Sequence, residues 1–327
     1  MAEWLYEAGI GENRAILVEE GEILEAAIEL PGLLRTGAVV EGRLTSILIP
    51  GKRGIVTLAG GGEALLAPVP APLTDGMALR VEIVREAIPE SGRPKLPKCR
   101  WTDAPMTEGS DLMQRTVARP VGQAARGPDR FEAVGWSELI EEALTGEIAF
   151  PGGGLRMSLT PAMTLFDVDG VLPPAALAIA GAEAAARAIR RFGIGGSIGI
   201  DLPTLSAKAE RQAAAAAFDA LLPQPFERTA VNGFGFLQIV RRRERASLPE
   251  LLQGDRVGAA ARALLRRAER AGGSGARTLH AAPAIIARLG EHPAWLDELA
   301  RRIGAPVALR VEPGLAISSA YVHSEHS

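Results

Sequence analysis

Met163-Thr164-Leu165-Phe166-Asp167-Val168-Asp169-Gly170 and Gly195-Gly196-Ser197-Ile198-Gly199-Ile200-Asp201-Leu202-Pro203 decide how this chain is read. Each is a short apolar run ending in a carboxylate, the pattern of a buried strand. Between them, from about Pro174 to Arg191, lies an alanine-rich helix. Strand, helix and strand at this spacing make a βαβ unit. Its two strands are expected to be parallel and to present Asp167 and Asp201 at one carboxyl edge. Carboxylates held close repel each other unless they share a proton or a cation. A hard divalent ion such as Mg²⁺, with Mn²⁺ able to substitute, suits them, because it takes oxygen ligands and few of them from protein.

Downstream of this unit, an alanine-rich helix is predicted from about Ser206 to Leu222, ended by Pro223 and Pro225. Strands over Phe226 to Val231 and Phe234 to Val240 flank Asn232-Gly233. Upstream, Ser137 is expected to cap a helix running through Leu144. Strands Glu147 to Phe150 and Leu155 to Ser158 then flank a Pro151-Gly152-Gly153-Gly154 turn. Residues 1–30 read as strands (Glu3 to Ala8, Arg14 to Glu19, Ile23 to Glu29), and 31–88 as several short strands separated by glycine turns, the pattern of a small barrel. Residues 89–130 read as a linker with local order around Met106 to Val117, and 131–250 as the domain holding the aspartates. Residues 251–327 read as a small α/β domain. It opens with a helix from Arg256 to Arg270 and a Gly272-Gly273-Ser274-Gly275 turn, and its His323 and His326 are expected in a loose tail.

The 327 residues include one cysteine, Cys99, which rules out an intramolecular disulfide and a cysteine-rich zinc site; it reads as a linker thiol. With no long uncharged apolar run and no basic, apolar leader, the chain is expected to be a cytoplasmic protein without a membrane segment. The net charge of −3 does not mark a polycation. Arginines gather late, however, at Arg190, Arg191, Arg241, Arg242, Arg243 and Arg245, and suggest a local basic face able to bind phosphates. All four histidines lie in the last fifty residues, which argues against a serine or cysteine triad near the aspartates. Aromatics make up 4%, weak support for base-stacking platforms.

In this order and spacing, four elements resemble the ribonuclease E/G endoribonucleases over roughly residues 130–245. They are Pro151-Gly152-Gly153-Gly154, Asp167-Val168-Asp169, Gly195-Gly196-Ser197-Ile198-Gly199-Ile200-Asp201-Leu202 and Phe234-Gly235-Phe236-Leu237-Gln238-Ile239-Val240-Arg241-Arg242-Arg243. The resemblance implies an α+β protein. A small OB-type barrel would be inserted near the N-terminus of an RNase-H-like/DNase-I-like catalytic core, followed by the small C-terminal domain. It implies a Mg²⁺ held by Asp167 and Asp201 for endonucleolytic hydrolysis of single-stranded RNA, giving 5′-phosphate products. Asp169, where the family usually has Asn, would reach the metal's bound water or orient the phosphate. Arg241 and Arg243 would contact RNA near the site; Arg228, which falls near an arginine of the family's 5′-end pocket, Arg187 on the helix, and Lys52 and Arg53 on a barrel loop would be further contacts. The chain also departs from the family. The cysteines of the zinc link are missing between Arg245 and Asp255, so no zinc is expected and homo-oligomers, if formed, are not zinc-bridged. The region corresponding to the 5′-end sensor is shortened. Ile55 and Leu65 stand where the barrel carries Phe, and Gln238 where the family has Glu.

Each feature also has a plainer reading. Strand-end aspartates often cap the following turn, and an arginine run is often a solvated edge. Gly60-Gly61-Gly62 lacks the Lys-Ser/Thr and helix of a phosphate loop. Two other functions fit the residues: an RNA-binding scaffold of the same fold with weak turnover, and a metal-dependent phosphoesterase acting on small substrates. For RNA, backbone and single-strand shape are expected to matter more than stacking.

Overall fold

The computed structural model describes residues 1–90, 94–120, 129–273 and 275–324. His326, Ser274 and the linker positions 91–93 and 121–128 lie outside these. In chain order the elements are β1 (Glu3–Ala8), β2 (Asn13–Glu19), β3 (Glu22–Glu29), β4 (Val39–Ile49), β5 (Arg53–Leu58), β6 (Glu63–Leu66), β7 (Ala78–Arg85), β8 (Lys98–Trp101), α1 (Leu112–Thr116), β9 (Arg119–Pro120), α2 (Trp136–Thr145), β10 (Glu147–Phe150), β11 (Gly153–Leu159) and β12 (Thr164–Gly170). They continue with α3 (Pro174–Arg191), β13 (Gly196–Asp201), α4 (Lys208–Leu221), β14 (Glu227–Arg228), β15 (Phe236–Arg241), α5 (Leu248–Gly254), α6 (Arg256–Arg270), β16 (Arg277–Ala281), α7 (Pro283–Glu291), α8 (Pro293–Ile303), β17 (Val307–Val311) and β18 (Tyr321–Ser324).

The protein is mixed α+β. Its largest sheet has the order β10-β11-β12-β13-β15-β14. Strands β10, β11 and β12 form an antiparallel meander, α3 crosses over, and β13 returns parallel to β12. Alternation along β12 sends Phe166 and Val168 to one face and Asp167 and Asp169 to the other. Phe166, Ile198, Ile200, Leu237 and Ile239 line the covered face, where α3 and α4 pack. Helix α3 is buried nearly all round because it also meets β3 of the N-terminal sheet, whose order is β3-β2-β1-β9. Small residues make that close approach feasible: a Cβ at Gly181 would overlap the Val168 side chain.

The barrel closes in the order β4-β5-β6-β8-β7. Its fifth strand, β8, lies in the stretch read as a linker. Its four residues carry no alternation long enough to see, and their pairing with β6 and β7 is set by the tertiary fold. Cys99 is therefore a core residue, fully buried with Leu66 and Ile83, and burial pushes its thiol up to about 12. The rest of the supposed linker is also structured in part, since β9 adds a parallel strand to β1.

Other boundaries shift for local reasons. Helix α2 begins at Trp136 after Gly135 in a left-handed conformation (φ 91°), so Ser137 lies inside it. The strand expected over Phe226 to Val231 shrinks to Glu227–Arg228 at the sheet edge. Between Arg245 and Asp255, Ser247 and Glu250 form a reciprocal capping box that starts α5. His323 belongs to β18, paired with β16, and is not in a tail.

Buried charge joins the two chain ends. Arg14 meets Glu7 at 3.1 Å and Asp129 at 3.3 Å while lying over the rings of Phe131 and Trp136. Helix α6 reaches the same two carboxylates through Arg270, and a third, Glu12, through Arg262 (3.0 Å) and Arg266. Breaking such a pair leaves an uncompensated buried charge, which is strongly destabilising.

Two predictions follow from these burials. Burial alone would raise the Asp129 carboxyl, but Arg14, Arg270 and the amides of Phe131 and Glu132 together hold it below its ordinary value. A lowered carboxyl contributes stability above the unfolded pKa and loses it as pH falls through the folded one. Urea midpoints measured from pH ~5 down through pH ~2 are expected to fall less steeply in Asp129→Asn than in the parent. Cys99 is expected to resist iodoacetamide in the native protein at neutral pH and to react once urea opens the barrel, read by mass spectrometry.

Candidate functional site

Asp167 on β12 and Asp201 on β13 are direct register partners in the parallel pair. Parallel partners point to the same side of the sheet, and adjacent strands lie about 4.8 Å apart. Both aspartates are exposed on the face that α3 and α4 leave open. This meets the geometric condition for a shared cation. Asp169 stands two residues further along β12 on the same face, opposite Gly154, about 7 Å along the strand from Asp167. Among the described residues no group of three or more His, Cys, Asp and Glu converges on a metal position. A pair of carboxylates with open positions nonetheless suits Mg²⁺, which uses one or two carboxylates plus waters and substrate phosphate.

The register continues across the sheet. Glu147 pairs with Arg156, Arg156 with Asp167, Asp167 with Asp201, and Asp201 with Phe236. Arg156 is thus the guanidinium beside the aspartates. It is exposed (63%) and held loosely by Glu147 at 3.3 Å. Gln238 is exposed on the same face one step away, opposite Gly199. Phe236 lies across that glycine: a Cβ at Gly199 would come within 2.5 Å of the ring.

Past the carboxyl end of β13, the turn into β15 packs against Leu202, Pro203 and Thr204. Leu202 N donates to Gly235 O (3.2 Å), and Asn232 Oδ1 accepts from the amides of Phe234 and Phe236 (2.9 and 3.0 Å). The braced turn displays Phe234 with its side chain out: the residue is 83% exposed.

The arginines expected beside the aspartates lie elsewhere. Because β15 runs antiparallel to β13, it carries Arg241 to the level of Gly196, five residues or about 17 Å from Asp201. Arg241 falls on the covered face, where its guanidinium donates to Ile194 O and burial lowers its pKa. Arg243 is engaged by Glu90 and Glu250. Arg228 also faces the helices and forms a two-pronged pair with Asp219 of α4. Arg187 sits on α3, paired with Glu183 one turn earlier, across the sheet from the aspartates. Lys52 and Arg53 are exposed at the β4–β5 hairpin of the barrel.

The expected basic face is largely a set of ion pairs. Arg190 binds Glu25, Arg191 binds Glu142, Arg242 binds Glu244, and Arg245 lies between Glu86 and Glu244. On the barrel, Ile55 and Leu65 are half-buried register partners on adjacent strands. They form an outward apolar spot without an aromatic ring.

Sequence reasoning missed Arg156 and Phe234. Alternation in Leu155-Arg156-Met157-Ser158 marks Arg156 as a residue of the polar face. Its place opposite Asp167 needs the register of the β11–β12 hairpin. The apolar run Phe234 to Val240 reads Phe234 as a strand residue, although Asn232-Gly233 before it and Gly235 after it mark a turn.

A scan of the chain against protein-family models and a comparison with curated protein sequences each returned no match. Among the described residues, no helix is long and apolar enough to cross a membrane.

Gly235 is the position on which the geometry of this rim depends. Its φ is +93°, and a Cβ there would overlap Leu202 O and lie 2.9 Å from Pro203 O. Gly235→Ala is expected to lower stability by about 1–3 kcal/mol, seen as a reduced thermal midpoint with the fold retained by circular dichroism.

Proposed function

We propose that this protein is a Mg²⁺-dependent endoribonuclease of the ribonuclease E/G type, with an RNase-H-like/DNase-I-like core around Asp167 and Asp201 and an OB-type barrel that touches single-stranded RNA. The observation that carries the reading is the register pairing of those two aspartates on the open face of parallel strands. The meander, crossover helix and parallel return strand support such a core, and the closed barrel of five strands is compatible with an OB-type module. The residue motifs of the family supply the reaction class.

The donor set fits a hard divalent ion. Asp167 and Asp201 would hold it, and Asp169 would orient water or phosphate at its flank. Bound there, the ion would neutralise phosphate charge and lower the pKa of a coordinated water. The exposed face leaves room for a polymeric substrate to lie across the strands. The products expected are a 5′-phosphate and a 3′-hydroxyl.

A second reading is an RNA-binding scaffold of the same fold with weak turnover, motivated by Ile55 and Leu65, which carry no ring on the barrel, and by the shortened stretch between the barrel and the aspartate domain. A fluorescent AU-rich oligoribonucleotide incubated with Mg²⁺ or with EDTA separates the two. Cleavage in Mg²⁺ alone is expected. In Asp167→Asn and Asp201→Asn it is expected to fall at least about 100-fold, equivalent to losing several kcal/mol of charge stabilisation. RNA binding without cleavage in all three proteins would replace the nuclease with the scaffold. No RNA affinity even at low salt would leave a small-molecule phosphoesterase.

A further inference from the structure

We infer that the aspartate face carries its own grip on single-stranded RNA, made by two residues on either side of the carboxylate pair: Phe234 stacks an unpaired base, and Arg156 takes a backbone phosphate. The inference rests on the nuclease reading for its substrate class, while its residues come from the geometry of the open face.

Phe234 is the first observation. A phenylalanine exposed at 83% has no packing role, yet its turn is not loose. Asn232 Oδ1 binds two backbone amides, Thr204 Oγ1 lies 3.4 Å from Phe234 O, and Gly235 adopts a φ that lets the turn press against Leu202 and Pro203. The backbone holds a bare ring at the carboxyl rim, beside the strand end that bears Asp201. Phe236, lying over Gly199, continues the apolar surface toward Leu165. A fixed aromatic ring next to an apolar floor suits a flat, unpaired base, which every sequence offers equally. The bases of a duplex are stacked on one another and cannot use it.

Arg156 is the second observation. Strand register places it next to Asp167 on the side away from Asp201, so Arg156, the two aspartates and Phe236 occupy four successive strands in one row. Adjacent strands are ~4.8 Å apart, so a chain lying across the strands meets cation, carboxylate pair and apolar floor within about 15 Å. Arg156 shares one carboxylate contact with Glu147 at 3.3 Å, and its planar fork remains exposed for a phosphate. By contrast Arg241, Arg243 and Arg228 are turned to the covered face or occupied by carboxylates.

Charge gives the grip a condition. Glu147 and Asp167 flank Arg156, and Asp169 and Asp201 lie on the same open face, so a polyanion is repelled until divalent cations are present. Affinity at this face is therefore expected to rise with divalent ion. The barrel is the other candidate contact: Ile55 and Leu65 offer no ring, and Trp101 at the end of β8 is exposed to 39%, against 83% for Phe234.

The test uses the full chain and a short fluorescent oligouridylate in Ca²⁺, with RNA integrity checked on a gel and affinity read by anisotropy across a salt series. Phe234→Ala is expected to weaken binding roughly five- to a hundredfold, the range of a lost base–aromatic stack. Phe234→Trp is expected to restore binding. On an abasic ribose-phosphate strand, the alanine variant and the parent should bind alike. Arg156→Gln is expected to make the slope of log affinity against log salt shallower by about 0.7, one phosphate contact to a single strand. Arg301→Gln, on the far C-terminal domain, should change neither quantity. Mn²⁺ binding followed by electron paramagnetic resonance is expected to be unchanged in the Phe234 and Arg156 variants and lost in Asp167→Asn.

If Phe234→Ala and Arg156→Gln bind RNA like the parent while cleavage still depends on the aspartates, the inferred grip is overturned and the nuclease reading stands. If the parent does not cleave in Mg²⁺ yet both variants lose RNA affinity, the grip stands and the hydrolytic reading falls.

Discussion

The crossing of α3 from β12 to β13 is the constraint on which the rest of the site depends. It makes the two strands parallel, and parallel pairing in register brings Asp167 and Asp201 side by side. A shift of one residue would send one carboxylate into the core. The crossover is locked because α3 packs on both sheets at once. Its alanines and Gly181 let the helix approach β11 and β12 closely, while Arg190 and Arg191 tether it to Glu25 of β3 and Glu142 of α2. One face of the sheet is consequently sealed by helices, and the aspartates are left on the other.

The distribution of arginine follows the same division. On the covered side and between domains, guanidinium groups meet carboxylates: Arg14 with Glu7, Arg262 with Glu12, Arg228 with Asp219, Arg243 with Glu250. These pairs satisfy charge that burial would otherwise make costly. They join the N-terminal sheet to α6 and fasten α5 beneath the sheet. On the open side the balance reverses, with carboxylates around Arg156. A chain with a net charge near zero thus has an arginine-rich interior frame and an acidic exposed face. For the proposed nuclease, that arrangement suits binding through a divalent cation more than binding by basic charge alone.

The barrel and the C-terminal domain are attached differently. The barrel has a closed core of its own, and contacts such as Glu86 N to Glu244 O and Thr36 Oγ1 to Glu244 O tie it to the segment after β15. The C-terminal domain docks through α6 and through Trp295, whose ring lies so close to Gly11 that a side chain there would collide with it. The barrel therefore connects to the end of the sheet that carries Arg243, opposite the end that carries the aspartates.

Much of this was legible in the sequence. Apolar runs ending in aspartate, an alanine-rich helix between them and glycine-marked turns determined the βαβ unit and the shared edge of Asp167 and Asp201, because strand and helix periodicity are local properties of the chain. The limits of α6 were legible for the same reason. Only the tertiary structure decided which side chains keep those aspartates company. The direction of β15 moved Arg241 and Arg243 to the far end of the sheet, and the β11–β12 register set Arg156 beside Asp167. Pairing between distant segments brought Cys99 into the barrel core. The physical reason is that a residue's own periodicity tells which face it occupies, whereas its neighbours on that face come from strand order and register, which are fixed by packing between residues far apart in the chain.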